Sequence, residues 1–323
     1  MSPLISIVIP SYNRASLIID AIESCVGQTY RPLEVIVVDD GSTDNSVEKI
    51  EQWNNSNFNN DFSLKLLKQE NQGGNVARNN GIKNAKGSFV AFLDSDDLWE
   101  RSKLEKQIIF LLEDSSVGAV YCGLRQIDID SGKLLSDSER LYAEGYILSQ
   151  ILVKDVTAPT SAYLVRKKVF QDVGYFDDTL KARQDWDMWI RISEKFKVRA
   201  VHENLMDLRH HCGTRTATNP DNEIQAYIAI RNKYSHLLKQ QGFKIKRSAA
   251  ANFYKRLGRV YFHYKNSRFI AIFYYFRSLI ADPTDFDTWA ASIGIFMPKF
   301  LRKRVHVFWN KFFEKTRFAI RSH

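Results

Sequence analysis

Three carboxylates stand within four residues in the segment Asp94-Ser95-Asp96-Asp97, directly after the apolar run at 89–93. Like charges a few ångströms apart repel each other, so the cluster predicts a compensating cation. A hard divalent metal with oxygen ligands would relieve the repulsion. The alternative is an acidic turn that caps a helix beginning near Leu98, because aspartate favours helix N-termini. The segment alone leaves both interpretations open.

The elements that must position these carboxylates alternate between strand and helix. Helical stretches separate short apolar strand patterns at 4–9, 33–38, 64–68 and 89–93. This alternation predicts a parallel sheet of βαβ units with both faces covered. Ligands of such sheets bind beyond the carboxyl ends of the strands. We therefore expect residues 10–14, 39–41 and 94–97 to converge on one crevice.

A second half follows a predicted helix over 101–113. Strand patterns at 117–122 and 160–165 precede a helical pattern over 186–195. From residue 222 the chain reads as helical, and 257–264 with 269–280 is typical of an antiparallel helix pair. We predict an α/β domain over 1–221 and a basic helical C-terminal region over 222–323.

The net charge of +9 arises in that C-terminal region. Residues 225–323 hold 20 lysines and arginines against 4 aspartates and glutamates, whereas residues 1–224 hold 26 against 33. A basic region on an acidic body predicts an anionic partner, either lipid or nucleic acid. We expect no nucleic acid, because no nucleic-acid motif is recognisable.

The last stretch, 298–323, has the pattern of an amphipathic basic helix. Its apolar residues share one helical face, and its lysines and arginines lie mostly elsewhere; the apolar residues are Leu301, Val305, Phe308, Trp309 and Phe312. Such a helix either lies on an anionic membrane surface or packs its apolar stripe on the body. Both interpretations stay open.

Cysteine usage and hydropathy indicate the cellular compartment of the protein. Cys25, Cys122 and Cys212 are few, odd in number and without metal-like spacing, which fits a reducing compartment. The longest apolar run, 269–276, has eight residues, far short of the roughly 20 that span a bilayer. No signal peptide is recognisable. We expect a cytoplasmic protein, peripheral at the cytoplasmic face of the membrane if the basic region binds lipid.

Four segments, in order and spacing, resemble the family-2 glycosyltransferases of GT-A fold. They are Ser6-Ile7-Val8-Ile9-Pro10-Ser11-Tyr12-Asn13-Arg14, Val35-Ile36-Val37-Val38-Asp39-Asp40-Gly41-Ser42-Thr43-Asp44, Ala77-Arg78-Asn79-Asn80-Gly81 and Phe92-Leu93-Asp94-Ser95-Asp96-Asp97. The resemblance covers roughly residues 4–220. It implies a Rossmann-like, mostly parallel sheet with a nucleotide-binding half at 1–115 and an acceptor half at 116–221.

The resemblance also implies a nucleotide site. Pro10, Tyr12 and Asp40 match positions that hold the base and ribose, and Asp39 is the alternative to Asp40. An aromatic ring offers a stacking face, and a carboxylate can accept from the uracil imide N–H. Arg78 resembles the family arginine that approaches the nucleotide, since guanidinium matches phosphate geometry.

Asp94-Ser95-Asp96 resembles the DxD motif of the family. By that resemblance Asp96 ligates Mn²⁺ or Mg²⁺ bridging the diphosphate, while Asp94 reaches the ribose or the same metal. Ser95 lies between them in the nucleotide-binding set. Asp97 extends the cluster and is left as a helix cap. The metal would stabilise charge on the leaving diphosphate.

The segment Gln184-Asp185 is similar to the acidic motif at the start of a helix beneath the acceptor. The usual pair is Glu-Asp, so Gln184 departs from the pattern and Asp185 keeps it. The resemblance makes Asp185 the general base that deprotonates the acceptor hydroxyl. Asp187 is the runner-up. The alternative is that both aspartates only decorate a helix N-terminus.

Arg209-His210-His211, followed by Arg215, resembles the Arg-x-His loop that folds over the diphosphate in this family. His211 matches the histidine of that pattern, and His210 is its competitor. A histidine there could ligate metal, donate to phosphate or only fill the loop.

Together these features predict a metal-dependent, inverting, hexosyltransferase-type enzyme. The expected donor is a UDP-sugar, and the expected acceptor is a saccharide or lipid-linked saccharide in surface polysaccharide biosynthesis. One alternative is a scaffold at the membrane that has lost turnover. Another is a nucleotidyltransferase, although residues 10–16 contain no glycine and one arginine, unlike a triphosphate-binding loop.

Overall fold

The computed structural model describes residues 2–57, 62–137, 142–210 and 219–297. The chain divides into two compact units. Unit 1 comprises Met1–Ile151 and Asp155–Arg215, and unit 2 comprises Leu152–Lys154 and Thr216–His323. The division of the sequence into domains over 1–221 and 222–323 stays a prediction.

The first half of unit 1 alternates strands and helices as predicted. The elements are β1 (Ile5–Ser11), α1 (Ile18–Val26), β2 (Leu33–Asp39), α2 (Ser46–Ser56), β3 (Phe62–Lys68), α3 (Gly74–Asn84) and β4 (Phe89–Phe92). β1 pairs in parallel with β2 and β4, and β2 pairs in parallel with β3. All residues of β1, β2 and β4 are buried, because helices cover both faces of such a sheet.

The second half of unit 1 completes a mixed sheet. Its elements are β5 (Leu98–Trp99), α4 (Lys103–Glu113), β6 (Val117–Asp128), β7 (Leu134–Asp137), α5 (Leu148–Ile151), a 3₁₀ turn (Thr160–Ala162), β8 (Leu164–Arg166), α6 (Val169–Val173), α7 (Gln184–Lys195) and β9 (Lys197–His210). The strand order is β3-β2-β1-β4-β8-β6-β9-β5, with β7 beside β6. β8 runs antiparallel to β4 and β6, and β5 runs antiparallel to β9. A mostly parallel sheet with flanking helices is the predicted α/β class.

Two elements differ from the prediction. No helix begins near Leu98; that residue lies in β5, and the backbone N–H of the following Glu100 donates to the carbonyl of Leu205 at 3.0 Å. The strand predicted over 160–165 begins as the 3₁₀ turn, and only its end joins β8. At Leu98 pairing with β9 overrides the local pattern. At 160–162 local hydrogen bonds form the turn instead, such as that from the backbone N–H of Ala162 to the carbonyl of Pro159 at 2.9 Å.

Unit 2 is helical, as predicted. Its helices are α8 (Pro220–Lys233), α9 (Ser235–Gln240), α10 (Phe243–His263), α11 (Arg268–Ala281) and α12 (Phe286–Gly294). A small core of Phe262, Ala271, Tyr275 and Ile295 joins α10, α11 and α12. Among the residues that the structure describes, no helix is both long enough and apolar enough to cross a membrane.

In unit 1, helix α3 approaches β1 closely because Gly81 has no side chain. A Cβ atom at this position would lie 2.3 Å from Cγ1 of Val8. The same helix carries Arg78, whose Nη2 donates to Oδ1 of Asp94. The missing side chain at 81 therefore sets how near the guanidinium stands to the end of β4.

We expect Gly81→Ala to lower the free energy of unfolding by about 1–3 kcal/mol, because the added methyl group overpacks the contact with Val8. Urea denaturation measures this change. Gly294→Ala is the matched control, since a Cβ there would meet nothing within 4 Å; its effect should stay below about 1 kcal/mol. A Gly81→Ala protein as stable as the wild type would contradict the packing argument.

Candidate functional site

The carboxyl ends of β1, β2 and β4 lie side by side at one edge of the sheet. Ser11 is in register with Asp39, and the backbone N–H of Leu93 donates to the carbonyl of Val8 at 3.1 Å. The residues that follow these strands are therefore neighbours in space. This edge carries Pro10, Tyr12, Asp39, Asp40, Asp94, Ser95 and Asp96.

The loops after β1 and β2 brace each other. Asn13 has a left-handed φ of 51°, and its Oδ1 accepts from the backbone N–H of Thr43 at 2.8 Å. Its own backbone N–H donates to Oγ of Ser42 at 2.9 Å. The bracing fixes the backbone beside Tyr12, whose side chain is 44% exposed. The Tyr12 ring thus has a face available for stacking.

Both carboxylate oxygens of Asp40 accept hydrogen bonds from the segment that leads into α3. Oδ1 accepts from the side chain of Gln69 at 2.8 Å and from the backbone N–H of Gln72 at 2.9 Å. Oδ2 accepts from the backbone N–H of Gly73 at 2.7 Å. The carboxylate of Asp40 thus anchors this segment.

Asp39 differs from its neighbour. Its Oδ2 accepts from the backbone N–H of Ser42 at 3.0 Å, whereas its Oδ1 is buried and has no hydrogen-bond partner in the described part of the chain. A buried carboxylate oxygen without a donor is unfavourable by about 1–3 kcal/mol. A ligand N–H would satisfy it.

Asp97 is the buried anchor of the acidic turn, not a helix cap, since α4 begins only at Lys103. Its side chain accepts from Oγ of Ser161 at 2.7 Å and from the backbone N–H of Arg209 at 3.2 Å. Burial raises the pKa of Asp97 well above its usual value, and the neighbouring charges of Asp94 and Asp96 raise it further.

The other two carboxylates of the turn face guanidinium groups. Asp94 Oδ1 accepts from Nη2 of Arg78, and Asp96 Oδ2 lies 3.9 Å from Nη2 of Arg14. The side chains of Asp94 and Asp96 are 34% and 17% exposed, while Ser95 is buried. Asp94 and Asp96 can therefore reach a ligand, while their charges are already partly balanced.

The acidic turn fits a hard divalent cation. The described residues contain no group of three or more metal-ligating side chains. Mg²⁺ is usually bound through one or two carboxylates, with phosphate or water oxygens completing its shell. Asp94 and Asp96 offer this number and type of donor, and carboxylate oxygens also suit Mn²⁺.

Ser161 holds the acidic turn in place through hydrogen bonds. Its Oγ accepts from the backbone N–H of Asp94 at 3.0 Å as well as donating to Asp97, and its carbonyl accepts from Nε1 of Trp99 at 2.7 Å. Lys103 Nζ lies 3.9 Å from the centre of the Trp99 ring. Burial lowers the pKa of Lys103 to about 8. Sequence reasoning missed Ser161, because only contacts between distant segments reveal its role.

Asp185 is the second residue of α7, and Arg183, which precedes the helix, has a left-handed φ of 58°. Its Oδ1 accepts from the backbone N–H of Trp186 at 2.8 Å. Desolvation, followed by the nearby charge of Asp155, raises the pKa of Asp185 to about 6, while the charges of Arg183 and Arg78 act in the opposite direction. A carboxylate with a pKa near neutrality suits proton abstraction. No sequence pattern had pointed to Asp155.

Asp187 turns inward instead. Its side chain is fully buried, and its Oδ2 lies 2.8 Å from Nη2 and 3.1 Å from Nε of Arg191. Arg191 in turn donates to the carbonyl of Val173 at 2.6 Å. Asp187, the runner-up base, thus forms an ion pair with Arg191 that fixes α7.

The structure describes only one of the two candidate histidines. His210 ends β9, and its Nε2 lies 2.9 Å from Oε1 of Gln126. His211 and Arg215 lie outside the described residues, as do Cys212 and the stretch 298–323. The choice between His210 and His211 stays a prediction.

Comparison with known proteins supports the resemblance. The family model described as glycosyl transferase family 2 matches residues 6–174. An uncharacterised glycosyltransferase of Rickettsia typhi is 32% identical over 269 residues, covering 80% of this chain and 82% of that protein. Chondroitin synthase of Pasteurella multocida is 27% identical over 234 residues, covering 72% of this chain and 23% of that enzyme.

Two solved structures show the same fold. The TarS 1–349 structure of S. aureus in complex with UDP-GlcNAc has a TM-score of 0.60 and 18% identity, with 90% of each chain covered. The mannosyltransferase PcManGT of Pyrobaculum calidifontis, with GDP-Man and Mn²⁺, has a TM-score of 0.53 and 18% identity, covering 99% of this chain and 81% of that one. They confirm the predicted GT-A architecture. From the family match and the relative above 30% identity, the chain belongs to glycosyl transferase family 2.

Proposed function

We propose that this glycosyltransferase moves a sugar from a nucleotide-sugar, with UDP as the expected nucleotide, to an acceptor hydroxyl with inversion. One observation carries the proposal: the guanidinium of Arg78 pairs with Asp94 of the DxD-like turn. A group that matches phosphate geometry thus stands beside the carboxylates proposed to hold the metal. The solved relatives that bind UDP-GlcNAc and GDP-Man support a nucleotide-sugar donor.

The nucleotide would lie across the ends of β1 and β2. Tyr12 offers its exposed ring to the base, beside Pro10. Asp39, with its unpartnered Oδ1, accepts the imide N–H of uracil, while Asp40 keeps the adjoining segment in place. We therefore assign base recognition to Asp39 in preference to Asp40.

The diphosphate would meet Arg78 and the acidic turn. Asp96, together with Asp94, would hold Mn²⁺ or Mg²⁺ there, and the manganese in the mannosyltransferase structure supports this choice. The bound ion would supply charge neutralisation for the leaving diphosphate. Ser161 and the buried Asp97 keep the turn in its shape.

Asp185 would act as the base. Its carboxylate takes the proton of the acceptor hydroxyl while that oxygen attacks the anomeric carbon, and the bond from this carbon to the nucleotide oxygen breaks on the opposite face. A single displacement of this kind inverts the configuration, so an α-linked donor yields a β-linked product. Positioning and electrostatics supply most of the acceleration.

The acceptor is proposed to be a saccharide or lipid-linked saccharide in surface polysaccharide biosynthesis. The similarity to a chondroitin synthase supports a polysaccharide product. Binding of 298–323 to an anionic membrane at the cytoplasmic face remains a prediction, since these residues lie outside the described ranges.

A donor panel tests the reaction class. Labelled UDP-sugars are incubated with the protein and saccharide acceptors, and UDP release is measured with Mn²⁺ and with EDTA. We expect sugar transfer and UDP release with one donor, loss of both in EDTA, and recovery on adding Mn²⁺. Asp96→Ala should lower the affinity for Mn²⁺ in the presence of UDP, measured by calorimetry. In a parallel incubation with UTP and a sugar 1-phosphate, release of pyrophosphate would instead indicate a nucleotidyltransferase. The absence of turnover in both incubations would indicate a scaffold.

Asp185→Asn should lower kcat by about 10²–10⁴-fold, because it removes the general base. In the wild type the base must be deprotonated, so kcat should rise with pH through an apparent pKa of about 6. Folding raises this pKa from 3.8, which means that ionised Asp185 destabilises the fold above pH 6. The asparagine variant should therefore have an equal or higher Tm at pH 8.

Asp187→Asn is the matched control. It weakens the buried pair with Arg191 and should lower the Tm, because a buried charge loses its partner. Assayed below its Tm, it should keep the wild-type pH profile. If Asp187→Asn abolished the rise with pH and Asp185→Asn did not, the assignment of the base would be wrong.

Asp39→Asn should weaken UDP binding by about 10–100-fold, because the buried acceptor is replaced by an amide that presents either donor or acceptor. Titration calorimetry with UDP and CDP measures the change. CDP affinity should alter less, since cytosine has no imide N–H. In Asp40→Asn the anchor of Gln72 and Gly73 is weakened, and UDP and CDP binding should fall together. Equal loss of both nucleotides in Asp39→Asn would contradict base recognition.

A further inference from the structure

Helix α11 of unit 2 has an apolar side that is exposed. Its buried residues are Ala271, Tyr275 and Ser278, whereas all three of its phenylalanines are exposed. Phe269 is 88% exposed and Ile280 is 66% exposed. Residues three and four apart share one side of a helix. That exposed side consists of Phe269, Phe273, Phe276 and Ile280.

The next helix continues this pattern. Thr288 is buried on α12, and Ile295 just beyond it belongs to the core of unit 2. Trp289, Ile293 and Phe296 are 46%, 48% and 77% exposed. Their spacing again places them on one side. We call the exposed residues Phe269, Phe273, Phe276, Ile280, Trp289, Ile293 and Phe296 the aromatic face.

The α11 side of the aromatic face is itself a large apolar surface. Phe273 and Phe276 are 53% and 63% exposed, between Phe269 and Ile280 on the same side. With about 150–250 Å² for each large side chain, these four residues expose roughly 500 Å². The largest apolar patch of a typical monomer is about 300–600 Å² and often functional, so this side of the helix is a candidate docking surface.

The charge around the aromatic face selects the partner. Residues 225–297 hold 12 lysines and arginines against 3 aspartates. Helix α11 contains Arg268 and Arg277 and no acidic residue. Lys255 Nζ lies 2.7 Å from Oδ2 of Asp285 and 4.0 Å from Oδ2 of Asp287, so one lysine offsets one of these two acidic charges. A second copy would bring like charges together, whereas anionic lipid headgroups complement them.

We propose that the aromatic face is a docking surface for an anionic membrane. Its phenylalanine, tryptophan and isoleucine side chains enter the boundary between headgroups and acyl chains, and Arg268 and Arg277 contact lipid phosphates. The proposal concerns residues of α11 and α12 and is separate from the prediction for 298–323. It does not rest on the assignment of donor or acceptor.

Vesicle co-sedimentation of the full chain tests the proposal. The vesicles contain either phosphatidylcholine alone or phosphatidylcholine with phosphatidylglycerol. We expect the wild type to bind the anionic vesicles at least about tenfold more tightly than the neutral ones. Phe269→Ser/Phe273→Ser/Phe276→Ser should weaken that binding by at least about tenfold, because it removes the inserting groups. These side chains are exposed, so the fold should tolerate the change.

Ile109→Ser/Leu112→Ser is the matched control. It removes exposed apolar surface from α4 of unit 1, where the two residues are 48% and 57% exposed, and should leave vesicle binding unchanged. Release of UDP from a free donor should be equal in all three proteins, so failure here is distinguishable from failure of the proposed function.

Three results would overturn the proposal. The first is wild-type binding of anionic vesicles by the triple variant. The second is the absence of vesicle binding by the wild type. The third is self-association in sedimentation velocity that the triple variant abolishes without any change in vesicle binding, which would assign the aromatic face to a second copy of the chain.

Discussion

Electrostatic repulsion at the end of β4 is the constraint on which the site depends. Three carboxylates follow this strand, and the fold treats them differently. Asp97 is buried, has a raised pKa, and is held by Ser161 and the backbone of Arg209. Asp94 and Asp96 stay near the surface opposite arginines. Burying one acid shapes the turn, and the other two can then present their oxygens to a cation and a diphosphate.

Arg78 stands beside the acidic turn. It can do so because Gly81 lets α3 approach β1, and because Asp40 holds the segment entering that helix. Its guanidinium pairs with Asp94 and matches phosphate geometry. At Asp185 the charge of Arg78 opposes only a small part of the desolvation that raises the pKa of that carboxyl.

The first half of the fold was predictable because its strands are apolar, β-branched and separated by helical periods. β9 was not, since its 14 residues mix charged and apolar side chains and its register with β6 shifts twice near Gly123. The different hydrogen bonding of Asp39 and Asp40 could not be predicted from the sequence either. It depends on which carboxylate meets the amides near Gly73, about thirty residues away in the sequence, and no local pattern records that contact.

The helices of unit 2 show a different limit of prediction from sequence. Apolar periodicity correctly predicted that 269–280 is helical, but periodicity states only which residues avoid water, not what covers them. In α11 the core takes Ala271, Tyr275 and Ser278 and leaves the three phenylalanines exposed. A helix that only served to pack this unit would have a polar outer side. The surrounding positive charge disfavours a second copy, so the aromatic face and the basic composition of this region are explained together by an anionic lipid surface.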